Sequence, residues 1–226
     1  MSQYRPWRFR VILFAAILLA VVQPLLSGNN DCYSFNLFLS VLVVAVSLSL
    51  LEESGHKRKA IAVGIGSFIT IWLSTQLDGL SSQILLVAGL SLAALFFGFA
   101  LYGILANILT KTVSHEALFA AVCGYLLLGI IWGLVYSSID TILPGSFQGI
   151  PSTITTEDTL INNHGRLTYF SFVTLTTLGY GDVTPATPTT NTLAWIEAVT
   201  GQFYLAILVA GLVGMHVGRA TRKKHS

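Results

Sequence analysis

Charged residues are scarce in this sequence. Lysine, arginine, aspartate and glutamate make up 10% of its 226 residues, whereas hydrophobic residues make up 54% and the mean hydropathy is +0.74. So few charges cannot cover the surface of a soluble chain of this size, which excludes a soluble globular protein. The two cysteines, Cys32 and Cys123, do not suggest a disulfide framework. The composition is typical of an integral membrane protein.

The apolar residues are concentrated in six runs, which predict an all-α protein with six transmembrane helices. The runs cover residues 11–26, 33–51, 60–77, 84–109, 117–139 and 192–217. The first run is the shortest, and a signal peptide is an alternative interpretation of it, because basic residues precede an apolar core. No clear cleavage site of small residues follows this core, so six spans are favoured.

The basic residues are distributed unequally among the predicted loops. Eleven of the twelve fall on one side of the membrane, and Arg166 alone falls on the other. The eleven are Arg5, Arg8, Arg10, Lys57, Arg58, Lys59, Lys111, Arg219, Arg222, Lys223 and Lys224. Because cytoplasmic loops carry the excess of positive charge, both termini are predicted to be cytoplasmic in a multi-pass protein of the plasma membrane.

The segment TLTTLGYGD, residues 174–182, is the most distinctive motif. Gly179 and Gly181 can adopt a left-handed backbone without the steric penalty that other residues incur. Alternation of ordinary and left-handed residues would aim successive carbonyl oxygens at one axis, and rings of such carbonyls replace the water around a potassium ion in selectivity filters. One chain supplies one strand of such a filter, so a homotetramer with four-fold symmetry is expected.

The segment before this motif, LTYFSFVTLT at residues 167–176, is too short to span a bilayer and predicts a re-entrant helix. A span, a short helix, the motif and a second span resemble, in that order, the pore module of potassium channels. Residues 197–214, EAVTGQFYLAILVAGLVG, look like the inner helix of small bacterial members. The resemblance covers residues 114–217 and implies that potassium ions are coordinated at Thr177, Leu178, Gly179, Tyr180 and Gly181. Leu178 stands where Val or Ile is more familiar.

Several residues around the motif are expected to support this filter: Thr174, Thr176, Tyr169, Asp182 and Glu197. The rings of Tyr169, Phe170 and Phe172 are expected to form a cuff that packs against Tyr180 and holds the filter open. Asp182 directly follows the filter and is expected to accept hydrogen bonds from this cuff.

Glu197 is the only charged residue within the predicted spans. An acid at bilayer depth costs about 2.5–3.5 kcal/mol on insertion scales unless it is paired or hydrated. We expect it to bond to the re-entrant helix through Thr174 or Tyr169; a neutral carboxyl in a packed interior is the alternative. Gly201, in the same span, is a candidate gating hinge or a simple helix contact.

Residues 60–110 contain no lysine or arginine. Voltage sensing requires basic residues that cross the membrane field, so classical voltage gating is not expected. The sequence divides into a non-sensing four-helix bundle over residues 1–112 and a pore domain over residues 113–226. The basic residues Arg219, Arg222, Lys223 and Lys224 could bind anionic lipid headgroups, and the nine residues after the last span predict no attached regulatory domain.

A non-selective monovalent cation channel is the nearest alternative function. A secondary transporter would show related halves with interrupted helices in each, and only one half here has a re-entrant segment. A membrane enzyme would need a nucleophile or a metal-ligand cluster, and no such spacing occurs. We therefore expect no enzymatic activity, no cofactor other than the conducted potassium ions, and no nucleic-acid partner.

Overall fold

The structure is a computed structural model that describes residues 13–17, 32–50, 56–77, 79–110, 115–150 and 157–222. Residues 13–17, within the first predicted span, are helical. The elements that follow are α1 Cys32–Leu50, α2 His56–Ser74, α3 Leu80–Thr110, α4 His115–Ile142, β1 Phe147–Gln148, α5 Glu157–Leu175, β2 Thr184–Pro185 and α6 Pro188–Arg222. The described chain is therefore mostly helical, as the apolar runs predict.

Within the described residues, two helices are long and apolar enough to cross a membrane. They are Leu80–Ala106 within α3 and Phe119–Ile142 within α4. A shorter apolar helix covers Ile61–Ser74 in α2. The crossing of the membrane by the other apolar runs stays a prediction.

Helices α2 and α3 form a hairpin that is packed at short range. The chain turns at Gly79, which has a φ of 71°. Glycine adopts this left-handed conformation at little cost. Gly89 of α3 lies so close to α2 that a Cβ atom at this position would be 2.5 Å from the Ile71 side chain. Gly64 of α2 faces the ring of Phe96 in the same way, at 3.0 Å. Small residues at these positions let the two helices approach closely.

Helix α4 packs along α3, and the two share the main apolar core. Phe96 and Phe97 of α3 and Leu127 and Ile130 of α4 are all fully buried in it. Helix α1 contributes to the same core and also contacts α5. Helices α1 and α3 thus lie directly against α5 and α4 of their own chain.

The helix before the filter motif is longer than predicted. The sequence predicts a short helix over residues 167–176, whereas α5 has 19 residues and begins at Glu157. The predicted start was wrong because the polar stretch 157–166 contains no proline and places two acids in the first turn, where the helix dipole favours them. The close approach of α5 to α4 depends on Gly133, where a Cβ atom would be 2.9 Å from the Cα of Thr168.

Helix α4 is also longer than its predicted span. It continues to Ile142 and therefore contains Asp140, whose side chain is buried and lies 3.4 Å from the amide nitrogen of Asn163 in α5. Asp140 thus lies within Phe119–Ile142, a helix long and apolar enough to cross a membrane, and the expectation that Glu197 is the only charged residue in such a segment was wrong. The hydrogen bond to Asn163 gives the Asp140 carboxyl a partner that the sequence alone did not reveal.

The loop after α4, residues 143–150, is fixed to the segment that follows the filter. Strands β1 and β2 pair antiparallel, with Phe147 opposite Pro185. Helix α6 then begins with a reciprocal cap, in which the backbone N–H of Thr190 donates to Thr187 Oγ1 at 3.2 Å and the N–H of Thr187 donates to Thr190 Oγ1 at 3.1 Å. Pro188 occupies the first turn, where its missing N–H costs nothing.

Candidate functional site

The filter motif leaves α5 with an alternating backbone. Thr177, Gly179 and Gly181 have positive φ values of 58°, 59° and 78°, whereas Leu178 and Tyr180 between them keep a negative φ. The glycines were predicted to adopt this conformation, but Thr177 was not. A left-handed threonine costs about 1–2 kcal/mol. Such strain persists only where the surrounding structure fixes it, and it is concentrated at functional sites.

The inner end of the motif is held by the last turn of α5. The backbone N–H of Thr177 donates to the carbonyl of Thr174 at 2.9 Å, and that of Leu178 donates to the carbonyl of Val173 at 2.9 Å. The hydroxyl of Thr176 donates back to the α5 carbonyls as well. Thr174 and Thr176 therefore lie at the base of the motif, where the Thr174 carbonyl accepts from Thr177 and the Thr176 hydroxyl donates to carbonyls at the helix end.

The outer end of the motif is held by Asp182. The hydroxyl of Tyr169 in α5 hydrogen-bonds to the Asp182 carboxyl. The backbone of Gly149 lies against the Asp182 carbonyl oxygen, so closely that a Cβ atom there would overlap it. The guanidinium of Arg166 in turn donates to the Gly149 carbonyl at 2.8 Å. The structure thus brings Tyr169 and Asp182 together and adds Gly149 and Arg166, which the sequence analysis did not identify.

Two of the three rings expected in a cuff around the filter point elsewhere. Phe170 packs against Tyr136 of α4 and Phe147 of β1, with ring centroids 5.3 and 5.4 Å away. The ring of Phe172 lies against Gly129 of α4. The prediction of a three-ring cuff was wrong for Phe170 and Phe172, because these rings fill the space that α4 leaves beside α5.

Glu197 of α6 is fully buried between α4 and α5. The phenol of Tyr136 donates to its Oε2 at 2.6 Å, and Ser171 Oγ lies 2.5 Å from its Oε1. Ser171 Oγ is also 2.7 Å from the carbonyl oxygen of Gly129. Glu197 therefore connects the three helices that surround the filter motif.

The partners of Glu197 differ from those expected. Thr174 or Tyr169 was the expected partner on α5, whereas the structure pairs Glu197 with Ser171. A buried carboxyl needs polar partners, and Ser171 is a small polar residue between two phenylalanines in an apolar segment. That combination was a usable signal for Ser171. Tyr136 is 61 positions from Glu197 in sequence, and no local pattern links them.

Gly201 lies one turn further along α6 and is buried against the end of α5. A Cβ atom on it would be 2.5 Å from the carbonyl oxygen of Leu175. The phenol of Tyr125 in α4 donates to the same oxygen at 3.2 Å. Helix α6 is continuous through this position. The short contact accounts for a glycine here, and a hinge at Gly201 stays a prediction.

The motif itself lies on the surface of the chain, with Leu178 55% and Tyr180 66% exposed. Within the described residues, no group of three or more His, Cys, Asp or Glu side chains is placed to hold a metal ion. The expected lipid contacts fall outside the described part of the chain, which includes neither Lys223 nor Lys224 nor the side chains of Arg219 and Arg222.

Comparisons with known proteins identify the same region. Residues 121–216 match a family model described as an ion channel. Searches of curated proteins and of solved structures give no significant match. The matched stretch begins in α4, contains α5 and the whole filter motif, and ends in α6. This part of the chain is similar to an ion channel domain, and it belongs to a mostly helical chain with two described helices that are long and apolar enough to cross a membrane.

Proposed function

We propose that this chain forms a four-fold symmetric tetramer that conducts potassium ions selectively and passively across the plasma membrane. The alternation of φ sign over residues 177–181 carries the proposal, because it is the backbone geometry that a ladder of carbonyl oxygens requires. The ions are held by the carbonyls of Thr177, Leu178, Gly179 and Tyr180, and Gly181 completes the ladder.

The exposure of the filter motif supports assembly. A single chain offers oxygens on one side of an ion, whereas a potassium ion that has lost its water needs oxygens all around it. Four chains around an axis meet this need, and they also cover the ring of Tyr180, which is 66% exposed in one chain.

A face of α6 supports the same arrangement. Trp195, Val199, Phe203 and Ile207 follow one another at intervals of four residues and are 59%, 41%, 63% and 63% exposed. Side chains four apart lie on one side of a helix, so these residues form a continuous apolar face. In the tetramer, neighbouring chains and lipid cover it.

The proposed topology has six spans, both termini in the cytoplasm and the filter entered from outside. Eleven of twelve basic residues then lie on the cytoplasmic side. The carboxyl end of α5 points toward the central cavity in this orientation, and its negative dipole end favours a cation there.

Voltage does not gate this channel in the classical way. Residues 60–110 include all of α3 and contain no lysine or arginine. Each charge that crosses the field would contribute about 2.3 kcal/mol per 100 mV, and this segment supplies none. Residues 1–112 thus form a bundle that braces the pore domain of residues 113–226, and the basic residues after α6 contact anionic lipid headgroups.

Ion flux from proteoliposomes tests this function. Vesicles loaded with potassium and containing the purified protein are diluted into sodium medium, and the outward potassium current is followed with a potential-sensitive dye. Rapid polarisation with the wild type and none with Gly179→Ala supports the proposal. Equal flux of sodium and potassium supports a non-selective channel instead, and cross-linking that stops at dimers contradicts the tetramer.

A further inference from the structure

The hydroxyl of Ser171 lies between two oxygen atoms of other helices. Its Oγ is 2.7 Å from the carbonyl oxygen of Gly129 in α4 and 2.5 Å from Oε1 of Glu197 in α6. Both separations are hydrogen-bond distances, and each requires one hydrogen between the two oxygens. A serine hydroxyl carries a single hydrogen, and a backbone carbonyl carries none. The second hydrogen must therefore come from the carboxyl group.

We propose that Glu197 is a protonated carboxylic acid that latches α6 to α5. Its Oε1–H donates to Ser171, Ser171 donates to the Gly129 carbonyl, and the Tyr136 phenol donates to Oε2 at 2.6 Å. Each pair of oxygens in this chain then has one hydrogen. If Glu197 were ionised, the serine hydrogen would turn toward it, and two acceptor oxygens would face each other between Ser171 and Gly129.

The burial of this chain of groups agrees with the proton assignment. Glu197, Ser171 and Tyr136 are each at most 1% exposed. The two side chains that hydrogen-bond to the carboxyl are both neutral hydroxyls. A buried carboxylate is costly without a positive partner, whereas a buried carboxylic acid with its hydrogen bonds made is not.

Among the residues that the structure describes, few other titratable groups lie near Glu197. From α4, the phenols of Tyr136 and Tyr125 face it. From α5 its partner is Ser171, which does not titrate. Burial lowers the pKa of His164, two turns before Ser171 in α5, to about 4, so this imidazole stays neutral from mildly acidic to alkaline pH. A response of the pore to alkaline pH is thus assigned to the Glu197 proton.

The latch lies one helical turn before the end of α5, since Ser171 precedes Leu175 by four residues and Leu175 ends the helix. Loss of the proton at alkaline pH turns the Ser171 hydrogen toward Glu197 and breaks the link from α5 to Gly129 of α4. The position of α5 then depends on fewer contacts, and current falls. This consequence rests on the proposed channel function, whereas the proton assignment does not.

Infrared spectroscopy of the reconstituted protein tests the proton assignment. At neutral pH the wild type is expected to show the carbonyl stretch of a protonated carboxylic acid, which Glu197→Gln removes. Ser171→Ala shifts that band without altering Glu197, so the assignment is possible even if the glutamine variant does not fold. Asp140→Asn replaces the second acid that is buried among the described residues, and it is expected to leave this band in place. If the spectra of Glu197→Gln and Ser171→Ala both show the same carboxylic-acid bands as the wild type, the proton assignment is overturned.

Current recordings test the latch. Wild-type potassium current is expected to fall several-fold from neutral to alkaline pH. Glu197→Gln, whose amide can donate to Ser171 and accept from Tyr136 but cannot titrate, is expected to conduct with no such fall. Identical pH profiles for the two proteins, or a wild-type current that does not change, overturn the latch. A wild-type reversal potential that ignores the potassium gradient overturns the proposed channel function and leaves the infrared result intact.

Discussion

The backbone of Gly149 lies directly against the carbonyl oxygen of Asp182, the residue that follows the filter motif. Gly149 has a φ of 81°, and its own carbonyl accepts a hydrogen bond from Arg166 at 2.8 Å. The loop after α4 therefore reaches the outer end of the filter through a contact that only glycine permits.

Replacement of Gly149 by alanine is expected to destabilise the folded protein. The left-handed backbone alone costs an alanine about 1–2 kcal/mol, and the new Cβ atom must in addition displace the Asp182 carbonyl. Gly145→Ala is the matched control, because Gly145 has a φ of 84° and no atom within 4 Å of a Cβ. Thermal unfolding in detergent measures both. Equal losses in melting temperature would show that the Gly149–Asp182 contact is unimportant.

The α4–α5 contact at Gly133 allows a second comparison of two glycines. A Cβ atom at Gly133 meets the backbone of Thr168, which cannot rotate away, so Gly133→Ala is expected to cost about 1–3 kcal/mol, as overpacking does. Gly98 of α3 is also helical and has open space around it. Gly98→Ala is expected to leave the unfolding temperature unchanged or slightly raised. A larger loss of unfolding temperature in Gly98→Ala than in Gly133→Ala would contradict the importance of the Gly133–Thr168 contact.

Leu178→Val is expected to leave ion selectivity unchanged. In the proposed filter the ion meets the carbonyl of residue 178 and not its side chain, and valine fits the negative φ of this position. Thr177→Val gives a contrast, because valine has the shape of threonine and is equally β-branched but lacks the hydroxyl at the inner mouth. We expect Thr177→Val to lower conductance and Leu178→Val to preserve the reversal potential. Lost selectivity in Leu178→Val contradicts carbonyl coordination.

The sequence predicted the helices better than their ends. Apolar runs identified α3 and α4, since soluble domains rarely contain an uninterrupted apolar segment of bilayer length. They could not locate the start of α5, because residues 157–166 are polar and their helix depends on end effects and packing. They also predicted that α4 ends before Asp140, whose burial depends on Asn163 from another helix.

The candidate site, like the helices, was predicted only in part from the sequence. The positive φ of Gly179 and Gly181 could be predicted, since glycine is the residue that adopts it freely. The positive φ of Thr177 could not be predicted, because threonine adopts it only where the surrounding structure fixes the backbone. The need of Glu197 for partners was evident from its charge, but Tyr136 became its partner only through the packing of α4 beside α6. The chemical needs of single residues could be predicted from the sequence, whereas the partners that meet those needs could be identified only from the fold.

The most direct test of the central claim is the reversal potential of purified, reconstituted protein with potassium on one side and sodium on the other. We expect a potential close to the potassium equilibrium value, carried by a current that Gly179→Ala abolishes, because a φ of 59° strains the backbone of an alanine at that position. A robust current that reverses near zero would contradict potassium selectivity.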